Sequence, residues 1–140
     1  MMDTSQEYIL MCDKATEIQR VWKPKDGDCF FVKYGTFSNG HEPCNGEEIF
    51  GIGDVVWAGA SVAPRGADTN DGQYVWLPRQ DQLNCMFSKW GVFATLDQFN
   101  SWWRREAINK TKSLTTIDQL WLAFVMHAKF SKAWNGKDWA

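Results

Sequence analysis

Only two histidines occur in the 140-residue chain, and none of its four cysteines (Cys12, Cys29, Cys44, Cys85) belongs to a C-x-x-C pair. A structural zinc ion wants four nitrogen or sulfur ligands at paired spacings. The one local pair, in His41-Glu42-Pro43-Cys44, is flanked by turn residues, with Cys29 the only thiol placed to approach it across a hairpin. No metal is expected. A zinc deaminase needs a second cysteine three residues after the first, and Cys44 is followed by Asn45-Gly46-Glu47. Gly51-Ile52-Gly53 lacks the further glycine and lysine of a phosphate-cradling loop. Cys85 falls inside an expected helix, with neither His41 nor His127 placed beside it as a base. No catalytic residue and no cofactor are therefore expected, and the reading is non-enzymatic.

Two further absences concern location. The start, Met1-Met2-Asp3-Thr4-Ser5-Gln6-Glu7, has neither the basic residues nor the apolar stretch of an export signal. A reducing compartment with unpaired thiols is the expectation. The apolar run at residues 120–126 is seven residues long, where a bilayer span needs about 20. No membrane partner is expected.

Aromatic residues are abundant, with nine Trp and nine Phe. Each buried ring brings roughly 150–250 Å² of contact, so a few fill a small core and the remainder must be half-exposed or part of a contact surface. Leu120-Trp121-Leu122-Ala123-Phe124-Val125-Met126 covers every side of a helix. It predicts a buried central helix over residues 117–130 around which other elements pack.

An earlier helix is expected from Thr4 or Ser5 to about Trp22, since Tyr8, Cys12, Ala15, Ile18 and Trp22 form one apolar stripe. Pro24 ends it. Strands are expected at residues 29–37, 48–59 and 73–77, the second with a bend or bulge at Gly51 and Gly53. Asn39-Gly40 and Asn45-Gly46 are turn signals, and residues 61–72 read as a loop. Pro78 is expected to open a helix carrying Leu83, Met86 and Phe87 and closing near Trp90-Gly91. Another helix is expected over residues 96–109, with Leu96, Phe99, Trp103 and Ala107 on its inner face. At the end, Ala133-Trp134-Asn135-Gly136-Lys137-Asp138-Trp139 reads as a tight turn between two short strand-like pieces. The sum is one α+β domain over residues 1–140: a small, mainly antiparallel sheet within residues 29–77 and about four helices, the last long one central.

A local pattern recurs in Gln80-Asp81-Gln82-Leu83, Leu96-Asp97-Gln98-Phe99 and Ile117-Asp118-Gln119-Leu120. Its spacing is irregular and nothing else repeats, so helix starts explain it better than a repeat architecture. Thr95 and Thr116 are placed to cap, with Gln98 and Gln119 completing capping boxes.

The run Tyr74-Val75-Trp76-Leu77-Pro78-Arg79-Gln80-Asp81-Gln82-Leu83, with the run at 120–126 and the tail Lys132-Ala133-Trp134-Asn135-Gly136-Lys137-Asp138-Trp139, resembles a group of small uncharacterised proteins encoded in Firmicutes phages and prophages. Trp22-Lys23-Pro24 and the helix before it are similar too. The resemblance implies a phage accessory protein expressed in bacterial cytoplasm and carries no catalytic residues with it.

Net charge is −2, with 6 Lys/Arg against 12 Asp/Glu in residues 1–72 and 9 against 5 in residues 73–140, a hint of a polarised surface. Trp102-Trp103-Arg104-Arg105, followed by Lys110 and Lys112, interleaves rings and cations as single-strand nucleic-acid binders do. The simpler account packs Trp103 inward and leaves the cations near a helix C-terminus, where the dipole favours them. Stoichiometric binding to a host protein ranks first, antagonism of a bacterial defence system in the manner of an anti-CRISPR being its sharpest form. Arg79, Trp102, Arg104 and Arg105 are the binding candidates, because Trp and Arg dominate hot spots. Sequestration of a nucleotide or other small ligand in an aromatic-lined pocket is the alternative, as is a single-stranded nucleic acid on Trp102 to Arg105.

Overall fold

The computed structural model describes residues 2–33, 53–58, 74–87, 89–107 and 114–140. The Asn39-Gly40 and Asn45-Gly46 turns, the His41-Cys44 pair, Gly51, the 61–72 loop, Lys110 and Lys112 lie outside them. The fold class is α+β, with its contacts grouped into two compact units. One comprises Thr4–Leu77; the other comprises Pro78–Ala140 with the residues before Thr4.

The first unit carries α1 (Gln6–Lys14), α2 (Thr16–Arg20) and three strands, β1 (Cys29–Val32), β2 (Val55–Trp57) and β3 (Tyr74–Leu77). The sheet is antiparallel throughout, in the order β2-β1-β3. In register, Phe30 lies opposite both Val56 and Trp76. Ser5 caps α1, its Oγ accepting from the Tyr8 N–H at 3.2 Å. All five residues of the expected apolar stripe are buried.

The single helix expected over residues 4–22 is instead two. Ala15 leaves the helical region at ψ 68°, and the Gln19 side chain accounts for the break. Its Nε2 donates to the Cys12 carbonyl at 3.0 Å and to the Trp76 carbonyl at 2.9 Å, while its Oε1 accepts from the Trp76 N–H at 2.8 Å. One amide thus satisfies a carbonyl near the break and both backbone groups of a residue in β3. The glycine signal in the second strand region is partly realised: Gly53 has φ +89° and its N–H donates to the Val32 carbonyl at 2.8 Å.

Asp28 ties the start of the sheet together. Its Oδ2 accepts from the Trp22 indole N–H and the Lys25 N–H, both at 2.9 Å, and its carbonyl accepts from the Ala58 N–H. The Trp22 ring, so fixed, stacks on Trp76 at 6.1 Å with the planes 1° apart.

The second unit carries α3 (Gln80–Cys85), α4 (Gly91–Trp102), a π-helical turn (Trp103–Ala107) and α5 (Ile117–Phe130). The bounds of α5 are those the sequence predicts, and Trp121 through Met126 are all buried. Phe124 is the centre of its packing, with Phe87, Phe99, Trp102 and Trp121 ring centroids 5.0–5.7 Å away. The tail forms the expected tight turn. Trp134 bridges Trp139, and the Asn135 Oδ1 accepts from the N–H groups of Lys137 and Asp138.

Two helix starts differ from expectation. Pro78 does not open α3; Arg79 is the N-cap, in extended conformation, and the Gln82 Oε1 accepts its N–H at 2.9 Å. Proline has no N–H to offer that glutamine. The helix α4 begins five residues before the expected Leu96, at Gly91 with φ +77°. Thr95 therefore lies inside it and donates its hydroxyl to the Gly91 carbonyl at 2.8 Å instead of capping. Thr116 does cap α5, accepting from the Gln119 N–H at 3.2 Å.

The start of α5 holds two buried carboxylates. The Asp3 N–H donates to the Asp118 Oδ2 at 2.7 Å, and the Asp3 Oδ2 accepts from the Thr116 hydroxyl and the Gln119 amide. Burial pushes the Asp118 carboxyl above its usual range; the Asp3 N–H opposes this and the Asp3 carboxylate adds to it.

Asp28→Ala leaves the buried Trp22 N–H without its charged acceptor and is expected to destabilise by about 2 kcal/mol in urea unfolding. Unchanged stability would refute that role. Asp118 makes the stability depend on pH. Below the ordinary aspartate range it is protonated folded or unfolded, and its full contribution is present. As pH rises through the raised folded-state pKa, it must ionise while buried, and that contribution is lost. Asp118→Asn keeps an acceptor for Asp3, so its Tm advantage over wild type is expected to be larger at pH 7 than at pH 3. Equal differences at both would refute the assignment.

Candidate functional site

The phase of α4 is set by rings. Thr95 and Trp102 are buried, and Phe99 stacks on Trp121 at 4.5 Å. At about 100° per residue, a core stripe through 95, 99 and 102 turns Phe93 almost directly outward. The structure shows the result: Phe93 is 89% exposed, Val92 72% and Leu96 51%, with Trp90 partly exposed beside them. These are four apolar residues within the uncharged run Trp90-Gly91-Val92-Phe93-Ala94-Thr95-Leu96. The inner face expected from Leu96, Phe99, Trp103 and Ala107 is thus out by about one position.

Beside this face lies a cavity of about 280 Å³, lined mainly by Phe87, Val92, Leu96 and Trp121, with Thr95, Gly91, Cys85 and Asn84 at its polar positions. The Asn84 Oδ1 is buried and has no hydrogen-bond partner among the described residues. Cys85 is exposed, whereas Cys12 and Cys29 are buried. The arrangement offers an apolar recess, one unanswered acceptor and a row of aliphatic and aromatic side chains. Among its described lining residues no histidine, lysine or carboxylate accompanies Cys85.

The four residues expected to bind are not brought together here. Arg79 lies at the N-cap of α3 and spends its guanidinium on Asp81, with Nε to Oδ1 at 3.0 Å and Nη2 to Oδ2 at 3.3 Å. That contact holds the Asp81 carboxyl below its usual range. Trp102 is 6% exposed and packs on Phe99, Phe124 and His127. Its neighbour Trp103 is the half-buried one, the reverse of the expected assignment. Arg104 and Arg105 are exposed on the π-helical turn, and only Arg105 shares a recess with Trp102.

Sequence reasoning missed Trp90, Val92 and Phe93 because Trp90 was given to the end of the preceding helix, and Val92 and Phe93 to the connection before a helix expected to start at Leu96. A signal was present: Phe93 lies opposite Thr95, Phe99 and Trp102 on a helical wheel, so all four cannot face the core. Among the described residues no group of three or more His, Cys, Asp or Glu is placed to hold a metal, and no helix is long and apolar enough to cross a membrane.

Gly91 carries the left-handed φ that starts α4 in this orientation, and a Cβ there would meet nothing within 4 Å. Gly91→Ala is therefore a test of backbone strain alone. It is expected to lower stability by about 1 kcal/mol, read by urea unfolding, and a stabilised variant would refute the positive φ.

Compared with known proteins, the chain matches no family model, no curated protein and no solved structure.

Proposed function

We propose that this protein acts by stoichiometric binding to another protein, through the outward face of α4 and the cavity beside it. The observation that carries the reading is Phe93, 89% exposed between Val92 and Leu96 within a run, Trp90 to Leu96, that carries no charge. Contiguous exposed apolar side chains mark interaction sites more often than scattered ones do. The cavity supplies the complement, a recess into which a partner's apolar side chain inserts while a donor of the partner answers Asn84. Helix-face binding of this kind reads as anchors three and four residues apart; here Val92 and Leu96 are four apart and Phe93 and Leu96 three apart.

The resemblance to Firmicutes phage and prophage proteins makes a bacterial host protein the partner. It also supports an accessory role such as antagonism of a defence system. The absence of a catalytic constellation in the sequence agrees with occupation of a surface rather than turnover.

The test uses affinity capture from host lysate with wild type, Phe93→Glu and Arg104→Glu, followed by reconstitution with the purified partner. The partner is expected with wild type and Arg104→Glu and lost with Phe93→Glu, at unchanged Tm because Phe93 is at the surface. Removing an anchor at an interface centre costs about 2 kcal/mol or more, a Kd rise of at least roughly 30-fold. Partner binding is also expected to slow alkylation of Cys85, read by peptide mapping. Equal capture by Phe93→Glu and wild type would overturn the reading.

A further inference from the structure

The helix α1 commits only one side to the core. Tyr8, Met11, Cys12 and Ala15 are buried, and at about 100° per residue Gln6, Ile9, Leu10 and Asp13 fall on the side away from them. Ile9 and Leu10 are half-buried there, two apolar residues that the core stripe does not use. Across from them is a row on the sheet. Phe31 is in register with Val55 on one side and Val75 on the other, so the three side chains share one face.

Between the helix face and the sheet row lies a cleft of about 510 Å³, formed wholly within the first unit. That volume falls inside the roughly 300–1,000 Å³ typical of small-molecule sites. Its apolar walls are Ile9, Leu10, Phe31, Val55 and Val75. Val75 is buried, while the other four are only half-buried and keep apolar surface open. Residues 6 to 13 rise about 10 Å along the helix, and three strands side by side span about the same distance. Four of the five walls are aliphatic. They offer close contact to a hydrocarbon chain without the flat faces on which a ring stacks.

Charge enters at one place. The Lys33 ammonium lies 3.1 Å from both carboxylate oxygens of Asp13, so the two charged groups lining the cleft cancel each other. The other polar side chains of the lining, Thr4 and Gln6, are neutral. A charged ligand settling here leaves water without gaining a counter-charge, and that loss is costly. A neutral ligand gives up far less hydration, and a hydroxyl or amide suffices to meet its polar end.

We infer that this cleft is a binding site for a neutral aliphatic small molecule. The chain lies between the sheet row of Phe31, Val55 and Val75 and the helix residues Ile9 and Leu10, with one uncharged polar end at Thr4 and Gln6. The site shares no residue with the α4 face, so the failure of either reading leaves the other standing.

Methyl NMR titration of the intact protein with 1-octanol, 1-butanol, octanoate and octylammonium tests it. 1-Octanol is expected to shift the methyl resonances of Ile9, Leu10, Val55 and Val75; the methyls of Val92 and Leu96 report separately on the α4 cavity. Affinity is expected to rise about fourfold for each CH2 added from butanol to octanol, the gain from burying that group. Octanol is expected to bind more tightly than either ion. Ile9→Glu is expected to abolish the shifts, and Phe93→Glu to leave them unchanged. Lys33→Met removes the cation and keeps the Asp13 charge, so octylammonium is expected to gain on octanol. The proposal is overturned by no octanol shift at those four residues, by affinity independent of chain length, or by either ion binding wild type as tightly as octanol. Those wild-type comparisons keep the test decisive should a variant fail to fold.

Discussion

Short elements leave many backbone groups without regular partners, and the fold depends on side-chain amides and carboxylates that take their place. Strands of three and four residues cannot form a self-sufficient sheet. On β3 the Gln19 amide bonds both backbone groups of Trp76, as a residue of a neighbouring strand does. The same device recurs elsewhere: Asp28 at the Trp22 turn, Gln82 at the start of α3, Gln119 at the start of α5 and Asn135 in the tail. Unpaired buried backbone groups cost as much as a lost hydrogen bond. Each of these polar side chains is therefore as much a part of the fold as an apolar core residue.

Those anchors orient rings, and the rings do most of the packing. In the first unit Trp22 stacks on Trp76 and tilts against Phe30, which meets Tyr74 edge-on. In the second, Phe124 gathers Phe87, Phe99, Trp102 and Trp121. Ring pairs have preferred geometries, so a helix that contributes two or three rings has little freedom to rotate about its axis. That is the fate of α4. Once Phe99 and Trp102 are engaged, Phe93 has only solvent or a partner to face.

What was legible in the sequence follows from this division. The apolar run at residues 120–126 is unambiguous, because seven such residues leave no polar face, and the bounds of α5 came out as expected. The three strand regions, the α1 stripe and the tail turn were legible for similar reasons, each having a period or an Asn-Gly signal of its own. The break at Ala15 was not. It is held by Gln19 reaching Trp76, 57 residues away, and no local pattern encodes that contact. The phase of α4 was missed because Leu96 and Thr95 are both plausible inner residues until Trp121 and Phe124 choose between them. The binding candidates were chosen by residue type, and type does not tell a buried Trp102 from an exposed Phe93.

Magnitudes decide between the two kinds of surface group as sources of affinity. An exposed ion pair is worth roughly 0–1 kcal/mol, so Arg79, already engaged with Asp81, has little to give a partner. Full burial of a Phe, Val or Leu side chain is worth about 1.5–3 kcal/mol each, and in Phe93 and Val92 most of that is unspent in the free protein. Association costs an estimated 4–15 kcal/mol in lost translation and rotation. One anchor cannot offset that loss; Val92, Phe93 and Leu96 acting together on a partner reach its lower range. On the proposed reading, exposed arginines such as Arg104 would steer the encounter and set its rate, while the exposed apolar side chains of α4 would decide how long the complex lasts.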